Sequence, residues 1–144
     1  NYTWQEISPG SASGSGSWSG STLTITGLPA GATIRLQIEP TNFQRIIINN
    51  GADRNRLTQI EQWGTTAWTS MQNAFYGCAN LQVTATDVPD LSSVTDLSQM
   101  FRACTNLNSP TNIGTWNTTG VTTMHGLFYS AGSFNQSIGA WNTA

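Results

Sequence analysis

Residues 71–81 read Met-Gln-Asn-Ala-Phe-Tyr-Gly-Cys-Ala-Asn-Leu, residues 97–107 read Leu-Ser-Gln-Met-Phe-Arg-Ala-Cys-Thr-Asn-Leu, and residues 124–134 read Met-His-Gly-Leu-Phe-Tyr-Ser-Ala-Gly-Ser-Phe. Placed one above another, Phe75, Phe101 and Phe128 fall in register, as do Leu81, Leu107 and Phe134. The spacing between copies is 26 residues, then 27. An internal repeat of that length marks a unit too small to bury its own apolar face, which must stack on its neighbours.

Met71, Ala74, Phe75 and Cys78 stand at i, i+3, i+4 and i+7; so do Leu97, Met100, Phe101 and Cys104, and Met124, Leu127, Phe128 and Ala131. On a helix this spacing gathers four apolar side chains on one face, so it predicts a short helix in each copy. Thr69, Thr95 and Thr122 precede the runs as N-caps, and Gln72 completes a capping box with Thr69. Trp68, Val94 and Val121 stand before the caps, placed to staple the chain. A second segment follows each run. Residues 81–86, 107–116 and 134–141 are short and rich in β-formers or turn residues. Asn-Ile-Gly-Thr-Trp-Asn-Thr at 112–118 and Ser-Ile-Gly-Ala-Trp-Asn-Thr at 137–143 are nearly identical, and residues 57–63 look like an earlier, partial copy. One short helix and one short strand per 26–27 residues predict an α+β fold, a short leucine-rich-repeat-like solenoid over residues 51–144.

Ala-Phe-Tyr-Gly-Cys-Ala-Asn-Leu at 74–81 resembles the core of BspA-like leucine-rich repeats. Phe-Asn-Gln-Ser-Ile-Gly-Ala-Trp-Asn-Thr at 134–143, with Gly-Val-Thr-Thr-Met at 120–124, resembles the short surface protein repeat of many bacterial surface lipoproteins. The resemblance covers about residues 57–144. It implies a non-catalytic protein associated with the cell surface, adhesion and protein contacts, and it supplies no catalytic residue and no cofactor.

The first third differs. Residues 1–7, Asn-Tyr-Thr-Trp-Gln-Glu-Ile, form a β-prone segment. Residues 8–21 are rich in Gly and Ser and read as a flexible linker, which makes the first seven residues an arm. Residues 22–26, 33–39 and 43–49 are strand-like, and residues 27–31 form a turn between the first two, so residues 22–50 are expected to be a β cap on the repeats.

Charged residues make up 8% of the chain and net charge is −2. All five basic residues are arginine, so the basic footprint of a nucleic-acid or anionic-membrane binder is missing. No apolar run is long enough to span a membrane as a helix. The chain opens without a charged segment followed by an apolar run, and is expected to be processed or trimmed. The neutral polar composition points to an extracellular or cell-surface protein.

Side chains that carry chemistry are few. His125 occupies the register of Gln72 and Ser98, an outward position, and no Gly-x-Ser-x-Gly nucleophile motif accompanies it. Asp87, Asp90 and Asp96 are the one acidic cluster; their spacing fits no EF-hand loop, and Asp96 reads as a helix cap while residues 87–90 read as a turn. Cys78 and Cys104 are equivalent by repeat and read as small buried residues, with a cross-copy disulfide as the alternative. No catalytic residue, metal site or cofactor is expected. Trp63, Trp116 and Trp141 read as core, and would bind sugar only if they formed an exposed row. Asn1, Asn117 and Asn135 begin sequons and are candidate glycosylation sites.

Two functions follow. The first is a structural subunit that assembles head-to-tail with copies of itself into a filament or surface layer. Its interface would be the arm residues Tyr2, Trp4, Glu6 and Ile7 against the uncharged last copy, at Phe134, Ile138 and Trp141. The alternative is an adhesin-like module that binds a host protein or glycan.

Overall fold

The computed structural model describes residues 1–142 and divides into two compact units, Asn1–Asn42 and Phe43–Ala144. The smaller unit is a three-stranded antiparallel sheet of β1 (Tyr2–Ser8), β2 (Ser13–Gly16) and β3 (Thr33–Ile38) in the order β2-β1-β3. The segment expected as a free arm is therefore the central strand, bonded along both edges. Of the segment expected as a linker, Ser-Gly-Ser-Gly forms the edge strand. Its alternation explains why. Gly14 faces Trp4 and Gly16 faces Tyr2 across the ladder. A Cβ on Gly14 would lie 2.7 Å from the Trp4 indole nitrogen, and one on Gly16 would lie 2.6 Å from the Tyr2 hydroxyl. The rings lie over the strand, so only glycine fits beneath them while serine takes the other face. The β1–β2 connection is held by Glu6, which is only 7% exposed. Its carboxylate accepts the N–H groups of Gly10 at 3.0 Å and Ala12 at 3.1 Å. Of the three strands expected between residues 22 and 49, only the middle one forms.

The larger unit contains β4 (Gln59–Ile60) and β5 (Gln82–Val83), paired in parallel, and single parallel bridges join Ala67 to Asp90 and Asp96 to Thr123. No α-helix occurs among the described residues; the helical pieces are three short 3₁₀ turns, Pro40–Asn42, Arg54–Arg56 and Ile113–Thr115. The expected α+β, leucine-rich-repeat-like solenoid is thus corrected to a mostly-β small domain built from small sheets.

The runs expected to be helices are pairs of tight turns. Ala74 N–H bonds Met71 C=O at 3.0 Å, and Cys78 N–H bonds Phe75 C=O at 3.0 Å. Each turn has positive φ at its third residue, 57° at Asn73 and 84° at Gly77, as type II turns require. Gln99 and Ala103 repeat the pattern at 58° and 57°, and Gly126 and Ser130 at 62° and 60°. A left-handed residue at every fourth position stops a helix from propagating. It also frees the remaining N–H groups to reach the next copy. Met71, Asn73, Phe75 and Gly77 donate to the carbonyls of Asp96, Ser98, Met100 and Arg102. Leu97, Gln99, Phe101 and Ala103 donate in turn to Thr123, His125, Leu127 and Tyr129. The caps expected of Thr69, Thr95 and Thr122 are absent because there is no helix to cap. Ser70 and Asp96 instead accept the N–H groups of Gln72 and Ser98 two residues on, which begins the turn run.

The first and fourth residues of each turn point inward, which is how turns reproduce the i, i+3, i+4, i+7 pattern. Met71, Ala74, Phe75, Cys78 and Leu81 are buried, as are Leu97, Met100, Phe101, Cys104 and Leu107. The phenylalanines stack at 5.6 Å (Phe75–Phe101) and 5.7 Å (Phe101–Phe128), with ring planes within 17° and 10°. Trp63, Trp116 and Trp141 are 5%, 3% and 7% exposed, so they belong to this core and form no exposed row.

Two expectations test this account. Ala103→Gly should stabilise the fold and Gly126→Ala destabilise it, each by about 1 kcal/mol, because positive φ strains any L side chain. Denaturant titration followed by tryptophan fluorescence measures both, and a neutral result at both sites would contradict the turn geometry. Gly14→Val should cost about 1–3 kcal/mol by overpacking against Trp4, while Ser15→Val on the opposite face is tolerated. Equal effects at the two positions would mean that the rings do not lie on the strand.

Candidate recognition face

In each second turn the residue after the inward phenylalanine points outward. These residues are Tyr76, Arg102 and Tyr129. The backbone bonds Gly77 N–H to Arg102 C=O and Ala103 N–H to Tyr129 C=O, both 2.8 Å, hold the three turns at strand-like spacing. Their side chains therefore form a column. The Arg102 guanidinium carbon lies 5.1 Å from the Tyr76 ring centroid and 4.8 Å from that of Tyr129. Both separations are within cation–π range. Arg102 Nη1 also donates to Gln99 Oε1 at 3.0 Å. Tyr129 is 62% exposed, and Tyr76 and Arg102 are half-buried. The sequence reading missed this column, although the register that aligned the phenylalanines carries Tyr, Arg and Tyr one residue later.

The residues expected at an assembly interface lie in two places. Tyr2, Trp4 and Glu6 share one face of β1, and Ile7 is exposed beside them. In the larger unit Phe134 stacks on Phe128 at 3.9 Å, and Trp141 is buried with its indole N–H donated to Ile113 C=O at 2.8 Å. Ile138 is exposed. Asn1, Asn117 and Asn135 are all exposed, although Asn1 bonds Glu39 and the Asn117 side chain accepts the N–H of Thr119. Thr143, which ends the second copy of the Trp-Asn-Thr heptapeptide, lies outside the described residues.

His125 is exposed, but Ser98, assigned to the same register, is buried and bonds the Thr123 hydroxyl at 3.1 Å. The aspartates hold turns. Asp87 accepts the N–H groups of Trp63 at 3.1 Å and Gly64 at 2.8 Å. Asp90 accepts from Ser92, whose hydroxyl and N–H together hold its carboxyl below the usual range. Among the described residues no group of three His, Cys, Asp or Glu side chains could hold a metal ion.

Cys78 and Cys104 are buried free thiols, and Cys104 Sγ donates to Phe75 C=O at 3.1 Å. Burial pushes Cys78 up to about 11, with Arg54 opposing in part. Burial and the neighbouring Cys78 push Cys104 up to about 12. The folded chain thus holds these protons more tightly than the unfolded chain. Their contribution to stability is complete below about pH 9, the ordinary thiol value of 9.0, and is lost as pH rises through 11 to 12. Thermal unfolding from neutral to pH 11 or so should therefore show a larger loss in the native chain than in the Cys78→Ala, Cys104→Ala double variant. Parallel curves would sink this assignment.

The model of DUF285, a family described as a Mycoplasma protein of unknown function, matches residues 41–144. No curated protein and no solved structure is significantly similar to the chain. The matched segment includes all three aligned copies, whose resemblance to BspA-like leucine-rich repeats is thereby corrected: the chain belongs to the DUF285 family.

Proposed function

We propose that this protein is a non-enzymatic recognition module of a cell surface, which binds a ligand on an opposing surface through the outer side of its repeated turns. The observation that carries the reading is the Tyr76–Arg102–Tyr129 column. Three copies place large side chains outward in register, and the core does not need them there. A partly exposed pair of tyrosines around a central arginine has the composition of a binding hot spot. Four of the seven acidic groups hold the backbone: Glu6, Asp87, Asp90 and Asp96 each accept main-chain N–H groups, which favours binding over acid–base chemistry at these positions.

Head-to-tail assembly through the amino-terminal segment has less support. Tyr2, Trp4 and Glu6 lie in a strand bonded to β2 and β3, so donating it to a neighbour would first break two ladders.

Beads coated with the chain should adhere to cultured epithelial cells, and the Arg102→Ala, Tyr129→Ala double variant, shown to be folded by circular dichroism, should lose most of that adhesion. Sedimentation of the native chain should show a monomer at high micromolar concentration. Undiminished adhesion by the variant counts against the column as the binding face. A polymer growing with concentration returns the assembly reading.

A further inference from the structure

Asn50-Gly51 is the one Asn-Gly pair in the chain, and the fold calls for both residues. Asn50 N–H donates to Tyr76 C=O at 2.7 Å, as Gly77 N–H does to Arg102 C=O and Ala103 N–H to Tyr129 C=O at 2.8 Å. Asn50 therefore holds, one repeat earlier, the place of Gly77, Ala103 and Ser130. Like them it is left-handed, with a φ of 58°. Asparagine tolerates that conformation better than most residues that carry a Cβ. Gly51 N–H turns back to Ile48 C=O at 2.8 Å, and a Cβ on Gly51 would lie 2.9 Å from that oxygen. Glycine is thus the residue that fits at 51 without a shift.

The pair is also open to chemistry. A backbone nitrogen reaches the side-chain carbonyl carbon of the asparagine before it most easily when it belongs to glycine, which has no Cβ to block the approach. Asn50 and Gly51 are both exposed, and the Asn50 side-chain amide makes no hydrogen bond among the described residues. Release of Gly51 N–H from Ile48 is an opening confined to this loop. Arg54 stands beside the pair. Its Nη1 donates to Gly51 C=O at 3.1 Å. A Cβ on Gly77 would press on Asn50 Oδ1 and lie 2.8 Å from Arg54 Cδ. The Asn50 and Arg54 side chains therefore lie together over Gly77, next to Tyr76. The carboxylate closest in sequence, Asp53, is paired with Arg56.

We propose that Asn50 is a self-modification site, assisted by the charge of Arg54. The Gly51 nitrogen gives its proton to hydroxide and bonds to Asn50 Cγ. The bond from Cγ to the side-chain nitrogen breaks, and that nitrogen leaves as ammonia with a proton from water. Water then opens the five-membered imide at either carbonyl, giving aspartate or isoaspartate. The net change is one water consumed and one ammonia released, with no oxidant or reductant. Arg54 favours the steps that build negative charge, first on the Gly51 nitrogen and then on the Asn50 side-chain oxygen. The aspartyl product keeps the backbone and sets a new carboxylate beside Arg54 on the turn face of a chain of net charge −2. The isoaspartyl product adds one main-chain atom between the N–H that reaches Tyr76 and the N–H that reaches Ile48. That puts the two bonds out of step and loosens residues 48–51 from the first copy.

The test is ageing of the full chain in mildly alkaline buffer, with peptide mapping across residues 46–56 and fragmentation that separates the two products. Asn50 should convert before any other asparagine. Arg54→Gln should slow the conversion about threefold or more, and Arg54→Lys, which keeps the charge, should retain most of the rate. In urea the three chains should convert alike, because the effect of Arg54 depends on the fold. The isoaspartyl fraction should unfold at lower denaturant than the native chain, whereas Asn50→Asp, made directly, should unfold close to it. Earlier conversion at another asparagine, equal rates in the folded native chain and folded Arg54→Gln, or a difference between them that persists in urea would each overturn the proposal. An isoaspartyl fraction as stable as Asn50→Asp overturns its backbone consequence. The mass readout is independent of adhesion, so failure of the recognition reading leaves this site standing.

Discussion

Asn73, Gln99 and Gly126 hold φ angles of 57°, 58° and 62°, and Gly77, Ala103 and Ser130 follow four residues later at 84°, 57° and 60°. Each left-handed residue closes a turn, so the N–H three places along bonds back within its own copy. The alternate N–H groups then point along the stacking direction and find carbonyls about one repeat away. A helix would consume every N–H internally and leave successive copies joined by side chains alone. The larger unit coheres because half of this backbone bonding runs between copies. Four of the six left-handed residues carry a Cβ, a strain of about 1–2 kcal/mol each that the cross-copy bonds must outweigh.

Both sides of the copies follow from that backbone. Inward, the first and fourth turn residues bring Phe75, Phe101 and Phe128 into one column and the two thiols into another. Outward, the second residues bring Tyr76, Arg102 and Tyr129 together. The recognition proposal rests on this second column. The spacing of its rings around the guanidinium is set by main-chain hydrogen bonds rather than by the side chains, so the arginine is held ready before any ligand arrives.

The smaller unit shows how composition can mislead. Residues 13–16 have the makeup of a flexible tether, yet they pair with β1 because two aromatic rings supply the cover that the glycines lack. The sequence places Glu6 at an interface as part of a β-prone arm on a Gly/Ser linker. It is buried within its own unit, where its carboxylate shapes the connection between the first two strands.

By itself the sequence determined the register of the copies, the identity of most buried apolar residues in them and the poverty of charge. These depend on which side chains must leave water, and burial is written in residue type and spacing. The site was legible only in part: Tyr76, Arg102 and Tyr129 could be aligned, but nothing in their spacing said whether they would touch. Only the tertiary structure decided that the runs are turns rather than helices, that a Gly/Ser segment is a strand, and that an arginine lies between two tyrosines. The physical reason is common to all three. Helix and paired type II turns bury the same i, i+3, i+4 and i+7 positions, and what separates them is the hydrogen-bond partner of each N–H. For Phe75 that partner is Met100, and for Gly77 it is Arg102. A choice that depends on a group so far along the chain cannot be read within any local window of sequence.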